Sequence, residues 1–194
     1  MKTNIHHLLG AAGGAMLLAS CGPQLSSTSV PMSTSAPVSI SRSDGSLAGT
    51  IHSGVNSYRV SSGREALNRH SGLDRLAQQH SEFMRQNRGK FQLSKSANIS
   101  HYGFSERALA AQRMMNMSNV AENVATCSGT GNRAASTLVN AWIKSSGHKK
   151  NLQGKWDATG IGVVVDSDGT VFATQIFASE NHSHMAMTDR MRQF

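Results

Sequence analysis

Two apolar runs near the C-terminus constrain this chain most. Residues 160–165 read GIGVVV and residues 171–178 read VFATQIFA. Asp166-Ser167-Asp168-Gly169 lies between them, and Asp-Gly between two apolar runs is a hairpin signal. A two-stranded hairpin is marginal in water on its own, so it must join a larger layered structure. What precedes it is helical in pattern. Leu73, Leu76, Ala77, His80, Phe83 and Met84 fall at i, i+3, i+4, i+7, i+10 and i+11, one apolar stripe that Gly89 is expected to end. Helices first, then an antiparallel hairpin, read as an α+β fold with a sheet covered by helices.

The other elements follow from local signals. A first helix starts near residue 48, with Leu47, Ile51, Val55 and Tyr58 at helical spacing. Residues 89–103 read as a loop leading to His101. Ser105 is the expected cap of a third helix that runs to Met115, with Glu106 favoured in its first turn by the helix dipole. Residues 120–125 alternate as a short strand does, and residues 127–132 read as a turn. A fourth helix spans about 133–145 and buries Ala135, Leu138, Val139 and Trp142. Gly147 fits the left-handed position past its end, which would bring His148 out at a helix terminus.

The N-terminus reads as a targeting segment. Lys2 supplies a positive charge, residues 8–18 are apolar and too few to span a bilayer, and Leu18-Ala19-Ser20-Cys21 follows. The last four residues resemble a bacterial lipobox. The resemblance implies cleavage before Cys21, diacylglycerol on its thiol and a further acyl chain such as palmitate, which together make a stable membrane anchor. An ordinary signal peptide is the alternative. Residues 1–20 are therefore expected as the signal and 21–47 as the lipidated cysteine and a Ser/Thr/Pro-rich tether, which holds all three prolines of the chain. Residues 48–180 form the domain and 181–194 a polar tail. The anchor places the protein in the cell envelope. Gly22 after the cysteine favours the outer membrane if the host has two.

With Cys21 lipidated, Cys127 has no partner, so stability must come from the core. Roughly 145 residues suffice for that. The formal net charge is +8, and the cations concentrate between Arg59 and Lys95, where only Glu65, Asp74 and Glu82 oppose them. Such a surface suits anionic polymers or lipid head groups, or it is simply a solvated helix face. Nucleic acid is not an expected partner: the chain is exported, 5% of it is aromatic, and it carries no recognised nucleic-acid motif.

Three residues carry candidate chemistry: His101, Glu122 and His148. Two imidazoles and a carboxylate can hold a divalent metal, zinc or another, with positions open for water; they can also simply line a polar pocket. His80 lies on the apolar stripe and reads as a core residue. The tail pair His182 and His184 reads as incidental.

The ordered set of motifs resembles a known family. It runs Asn56-x-x-Arg59, then Gly72-Leu73-x-x-Leu76-Ala77-x-x-His80-Ser81, then His101-x-Gly103 with Arg107. Ala121-Glu122-Asn123-Val124-Ala125 follows, then Trp142-x-x-Ser145-x-Gly147-His148-x-x-Asn151-Leu152, then Gly160-Ile161-Gly162-Val163 and Thr174-Gln175-Ile176-Phe177. The set, over about residues 50–178, resembles the CAP superfamily or SCP domain, which includes cysteine-rich secretory proteins, antigen 5 and plant pathogenesis-related proteins. It is most similar to the bacterial, disulfide-free branch. The resemblance implies a three-layer α-β-α sandwich around a central antiparallel sheet. It also implies a cleft lined by His101, Glu122 and His148, with Ser145 where animal and plant members carry a second Glu. In some members the two His bind a divalent ion weakly.

Three functions then compete. One is a non-catalytic module that binds a lipid-like or anionic envelope ligand, or a protein partner. The second is a metal-dependent hydrolase with Glu122 as general base. The third uses Cys127 and His148 for nucleophilic catalysis. A third metal ligand and a general base cannot both be Glu122, which favours the binding module.

Overall fold

The computed structural model describes residues 42–89, 101–129, 131–182 and 191. The expected lipobox and most of the expected tether lie outside the described residues, as do 90–100 of the expected loop and most of the tail. Ten elements follow in chain order: β1 Arg42–Ser43, α1 Gly45–Ser61, β2 Asn68–Arg69, α2 Ser71–Gln86, α3 Phe104–Met115, β3 Met117–Ser128, α4 Gly131–Lys144, α5 Ser146–Leu152, β4 Ala158–Val165 and β5 Thr170–Glu180. β1 and the start of α1 take in the last residues of the segment expected as tether.

The sheet order is β1-β4-β5-β3. These strands pair antiparallel, while the short β2 pairs parallel with the start of β4 and makes the sheet mixed. The expected hairpin is β4–β5. Its turn is closed by Asp166 N–H donating to Thr170 O at 2.8 Å, with Gly169 at φ +79° where a side chain would be strained.

Side chains alternate across the sheet and divide it into two cores. One face carries Ile161, Val163, Val171, Ala173 and Phe177, and packs on Ile51 and Val55 of α1 and on Leu138 and Trp142 of α4. The opposite face carries Ile176 and Ala178, and packs on Leu73 and Ala77 of α2 and Ala111 of α3. This is the α-β-α sandwich. Gly160 and Gly162 decide how close α2 comes. A Cβ at Gly160 would fall inside 3.0 Å of the backbone of Leu73 and Asp74, and one at Gly162 inside 3.0 Å of that of Ala77 and Gln78.

That closeness lets α2 finish the outer edge of β4. Asp74 Oδ1 accepts from Ile161 N at 2.8 Å, and Arg69 Nη2 donates to Ile161 O at 3.2 Å. Gln78 Oε1 accepts from Val163 N at 3.0 Å, while its Nε2 donates to Val163 O at 3.1 Å. His70 N donates to Thr159 O at 2.8 Å.

Four sequence readings are corrected. Ser105 does not cap α3: Gly103 does, at φ +72°, and no side chain bonds there. Gly147 does not terminate α4. A separate short helix, α5, starts at Ser146 and contains Gly147, so His148 sits in its first turn. Cys127 and Ser128 belong to β3 rather than to a turn. Gly89 adopts a left-handed φ of +75°, but α2 ends earlier, at Gln86 with Asn87 as cap.

Candidate functional site

The site is built around Glu122 of β3, whose side chain is only 1% exposed on the α2/α3 face. Arg107 of α3 grips it with both forks: Nε donates to Oε2 and Nη2 to Oε1, each at 2.8 Å. Bidentate geometry of this kind is the strong form of an ion pair. Arg107 Nη1 also donates to Tyr102 O at 2.8 Å, so one guanidinium fixes both the carboxylate and the segment that carries His101. A Cβ at Gly103 would sit 3.2 Å from Arg107 Nη1, at a φ that side chains avoid; glycine there leaves the guanidinium its path.

His101 Nδ1 lies 3.0 Å from Glu122 Oε1. A carboxylate only accepts, so Nδ1 carries the proton, and in the neutral ring Nε2 holds the free lone pair. The His101 side chain is 49% exposed, which makes it the solvent end of the site. Its ring centroid is 6.4 Å from that of His148, the planes tilted by 56°. α5 positions His148 by docking on β3. Asn123 Nδ2 donates to His148 O at 3.2 Å, and Asn151 Nδ2 donates to Glu122 O at 3.1 Å and to Asn123 Oδ1 at 2.9 Å.

The fold thus brings His101, Glu122 and His148 together. A cavity of about 270 Å³ beside them is lined by His101, Phe104, Val120, Ala121, Glu122 and Asn151. Ser145 is the N-cap residue of α5, makes no side-chain capping bond, and does not line this cavity. Sequence reasoning missed two participants. His80, read as a core residue, is buried and places Nε2 3.9 Å from Glu122 Oε1. Its ring stacks on Phe83, which stacks on Tyr102 at 5.2 Å. Arg107 stood in the motif set with no role; an Arg three helical turns or fewer from a buried carboxylate's strand is not recognisable as its partner without the fold.

Electrostatics follow from this packing. Burial pushes the Glu122 carboxyl up, but the hydrogen bonds from His101 and Arg107 and the Arg107 and His80 charges outweigh it, so the group is held below its ordinary value. Burial, and then the His101 charge, push His148 down from its ordinary value, which favours the neutral ring. Burial pushes the Cys127 thiol up. Cys127 contacts Ala134 O of α4 on the other face and lies five residues along β3 from Glu122, about 16 Å away. Both features disfavour nucleophilic chemistry with His148.

The donor set admits a lean metal site. His101 Nε2 and His148 would hold a divalent ion, with Glu122 orienting His101 from behind as carboxylates behind metal-bound imidazoles do. Glu122 itself is engaged by three donors and is not placed as a third ligand. Among the described residues no group of three or more His, Cys, Asp or Glu is arranged around a common ion position.

Residues 52–177, well over half of the chain, match the family model described as "CAP: Cysteine-rich secretory protein family". Solved structures share the fold at low identity. An outer surface protein of Borrelia burgdorferi matches with a TM-score of 0.58 at 16% identity, over 73% of this chain and 98% of that one. An extracellular SCP-domain protein of Bacillus anthracis matches at 0.52 and 22%, over 69% and 40%. A cysteine-rich secretory protein of Staphylococcus aureus matches at 0.51 and 18%, over 69% and 38%. No curated protein sequence matches the chain significantly.

Proposed function

Because the chain belongs to the cysteine-rich secretory protein (CAP) family, we propose that it is an envelope-anchored, non-catalytic binding module whose cleft holds a divalent metal weakly and reversibly. One observation carries this reading. Glu122 is locked in a bidentate pair with Arg107, buried and held below its ordinary pKa, which is the state of an orienting anion and not of a general base poised near neutrality. A metal on His101 and His148 would organise the cleft, and a lipid-like or anionic envelope ligand would lie across it.

Zinc titration calorimetry tests the cleft. Coordination needs neutral imidazoles, so protons compete below about pH 6.5, the ordinary His value. His148 is shifted below that value and yields later than an ordinary histidine. Affinity is expected to be weak at pH 7.5 and weaker at pH 5.5, and to vanish in His101→Ala/His148→Ala. His182 and His184 should be alanine throughout to remove the tail pair. Equal affinity at both pH values, or in the double variant, excludes the site. Peptide, ester and peptidoglycan substrates should give no turnover; a robust rate abolished by Glu122→Gln without a change in melting would favour the hydrolase.

The anchor has its own test. Relatives in fold include an outer surface protein and an extracellular protein, which supports an envelope location. No helix among the described residues is long and apolar enough to cross a membrane. Cys21→Ser is expected to release soluble protein or to leave the precursor uncleaved. Mass spectrometry that finds an unmodified mature N-terminus at another residue would rule out the lipoprotein.

A further inference from the structure

A second cavity, of about 530 Å³, lies where α1 ends and is lined by Arg59, Arg64, Glu65, Lys155, Trp156 and Asp157 among others. Its volume is in the range of small-molecule sites. Arg59 is 2% exposed. Its Nε donates to Glu65 O at 2.9 Å, and its Nη1 donates to Leu152 O at 2.6 Å and Gly154 O at 3.1 Å. All three partners are neutral carbonyls. Among the described residues no carboxylate lies within ion-pair distance of this guanidinium. Among the described residues its remaining amino group, Nη2, has no hydrogen-bond partner, and Arg59 lines the cavity. A buried cation without a contact anion is a costly arrangement unless an anion arrives from outside.

The walls favour such an arrival. Arg59, Arg64 and Lys155 face two carboxylates, Glu65 and Asp157, an excess of one positive charge before His182 is counted. Asp157 is already engaged: its Oδ2 accepts from Glu180 N at 2.8 Å and lies 3.7 Å from His182 Nε2. Trp156 supplies an apolar wall. It stacks on Phe177 with centroids 5.8 Å apart, donates through Nε1 to Asn151 O at 2.7 Å, and lies so close to Gly154 that no Cβ fits between them.

We propose that this cavity binds a small organic carboxylate, with the oxyanion on Arg59 Nη2 and Arg64 and an apolar body against Trp156. The site is separate from the His101 cleft and does not depend on the metal reading. Sodium benzoate is the probe and benzamide its uncharged counterpart, titrated into the full protein at fixed ionic strength. Trp156 fluorescence is one readout, since Trp142 is fully buried, and calorimetry is the other. Benzoate is expected to bind saturably and at least about tenfold more tightly than benzamide, a difference of about 1.4 kcal/mol. Arg64→Ala/Lys155→Ala, which spares the structural Arg59, should weaken benzoate about tenfold, while His101→Ala/His148→Ala should leave it unchanged. Inorganic phosphate binding more tightly than benzoate would reject the carboxylate assignment. Equal binding of benzoate and benzamide, no saturation with either, no loss in the Arg64/Lys155 variant, or loss in the His101/His148 variant would each overturn the site.

Discussion

Gly162→Ala is expected to cost about 4 kcal/mol or more, enough to unfold a domain of ordinary stability under mild stress. The new methyl would fall inside 3.0 Å of the backbone of Ala77 and Gln78, and backbone cannot rotate away as a side chain can. Relief requires α2 to lift off β4. Lifting separates Leu73 and Ala77 from Ile176, and draws Gln78 off Val163 and Ser81 Oγ off Gly162 O. Ordinary overpacking costs about 1–3 kcal/mol, and this case adds loss of contacts along a whole helix. Gly49→Ala is the control. It lies inside α1 with nothing within 4 Å of its Cβ position, so alanine should stabilise by roughly 0.5–1 kcal/mol. Urea midpoints by circular dichroism measure both. A Gly162→Ala protein within about 1 kcal/mol of its parent would show that the helix seat is more yielding than the packing implies.

Glu122→Gln should be the second large effect, about 3–5 kcal/mol, the range for removing one partner of a buried ion pair. Glutamine keeps the shape but presents an amide N–H₂ to Arg107, a donor against donors, and leaves the guanidinium without its anion. Melting should fall by about 10 °C, at roughly 2–4 °C per kcal/mol for a domain of this size. Adding Arg107→Met should cost less than the sum, because the two residues act as a unit. The pH dependence has a definite sign. The folded pKa of Glu122 is depressed below its ordinary value of 4.5, so its contribution is complete above that value and is lost as pH falls through the folded pKa. Glu122→Gln lacks this component, so the gap between the two proteins should narrow in acid. A gap that stays constant from pH 7 to pH 3 would mean that the carboxylate is not held as described.

The parts of the fold with a periodic signal were readable in the sequence. The stripe from Leu73 to Met84 fixes α2, and turn chemistry at Asp166–Gly169 fixes the β4–β5 hairpin. Two-residue strands such as β1 and β2 carry no period, and their pairing is set by where α1 and α2 enter. α5 is seven residues long, too short for an amphipathic stripe, so Gly147 looked like the end of α4 when it lies inside a new helix. The grouping of His101, Glu122 and His148 was readable from the order of motifs. Arg107 was not, because its pairing with Glu122 depends on α3 lying across β3. His80 shows the ambiguity of a polar residue on an apolar stripe: it is buried, as such residues usually are, yet it lies beside the buried carboxylate of Glu122.

The seat of α2 on β4 works as a pair of matched rulers. Asp74 and Gln78 are four apart on a helix and reach backbone groups two apart on a strand. Four helical residues rise about 6.0 Å, and two strand residues about 6.6–6.8 Å. The near-equality lets two side chains replace a neighbouring strand at the middle of β4, with β1 and β2 closing its ends. An exposed strand edge is a template for another chain. Here the middle of β4 is already engaged, so a partner cannot add a strand directly onto it. Recognition at the middle of β4 must then run through the side chains of α2 rather than through a new strand laid on β4.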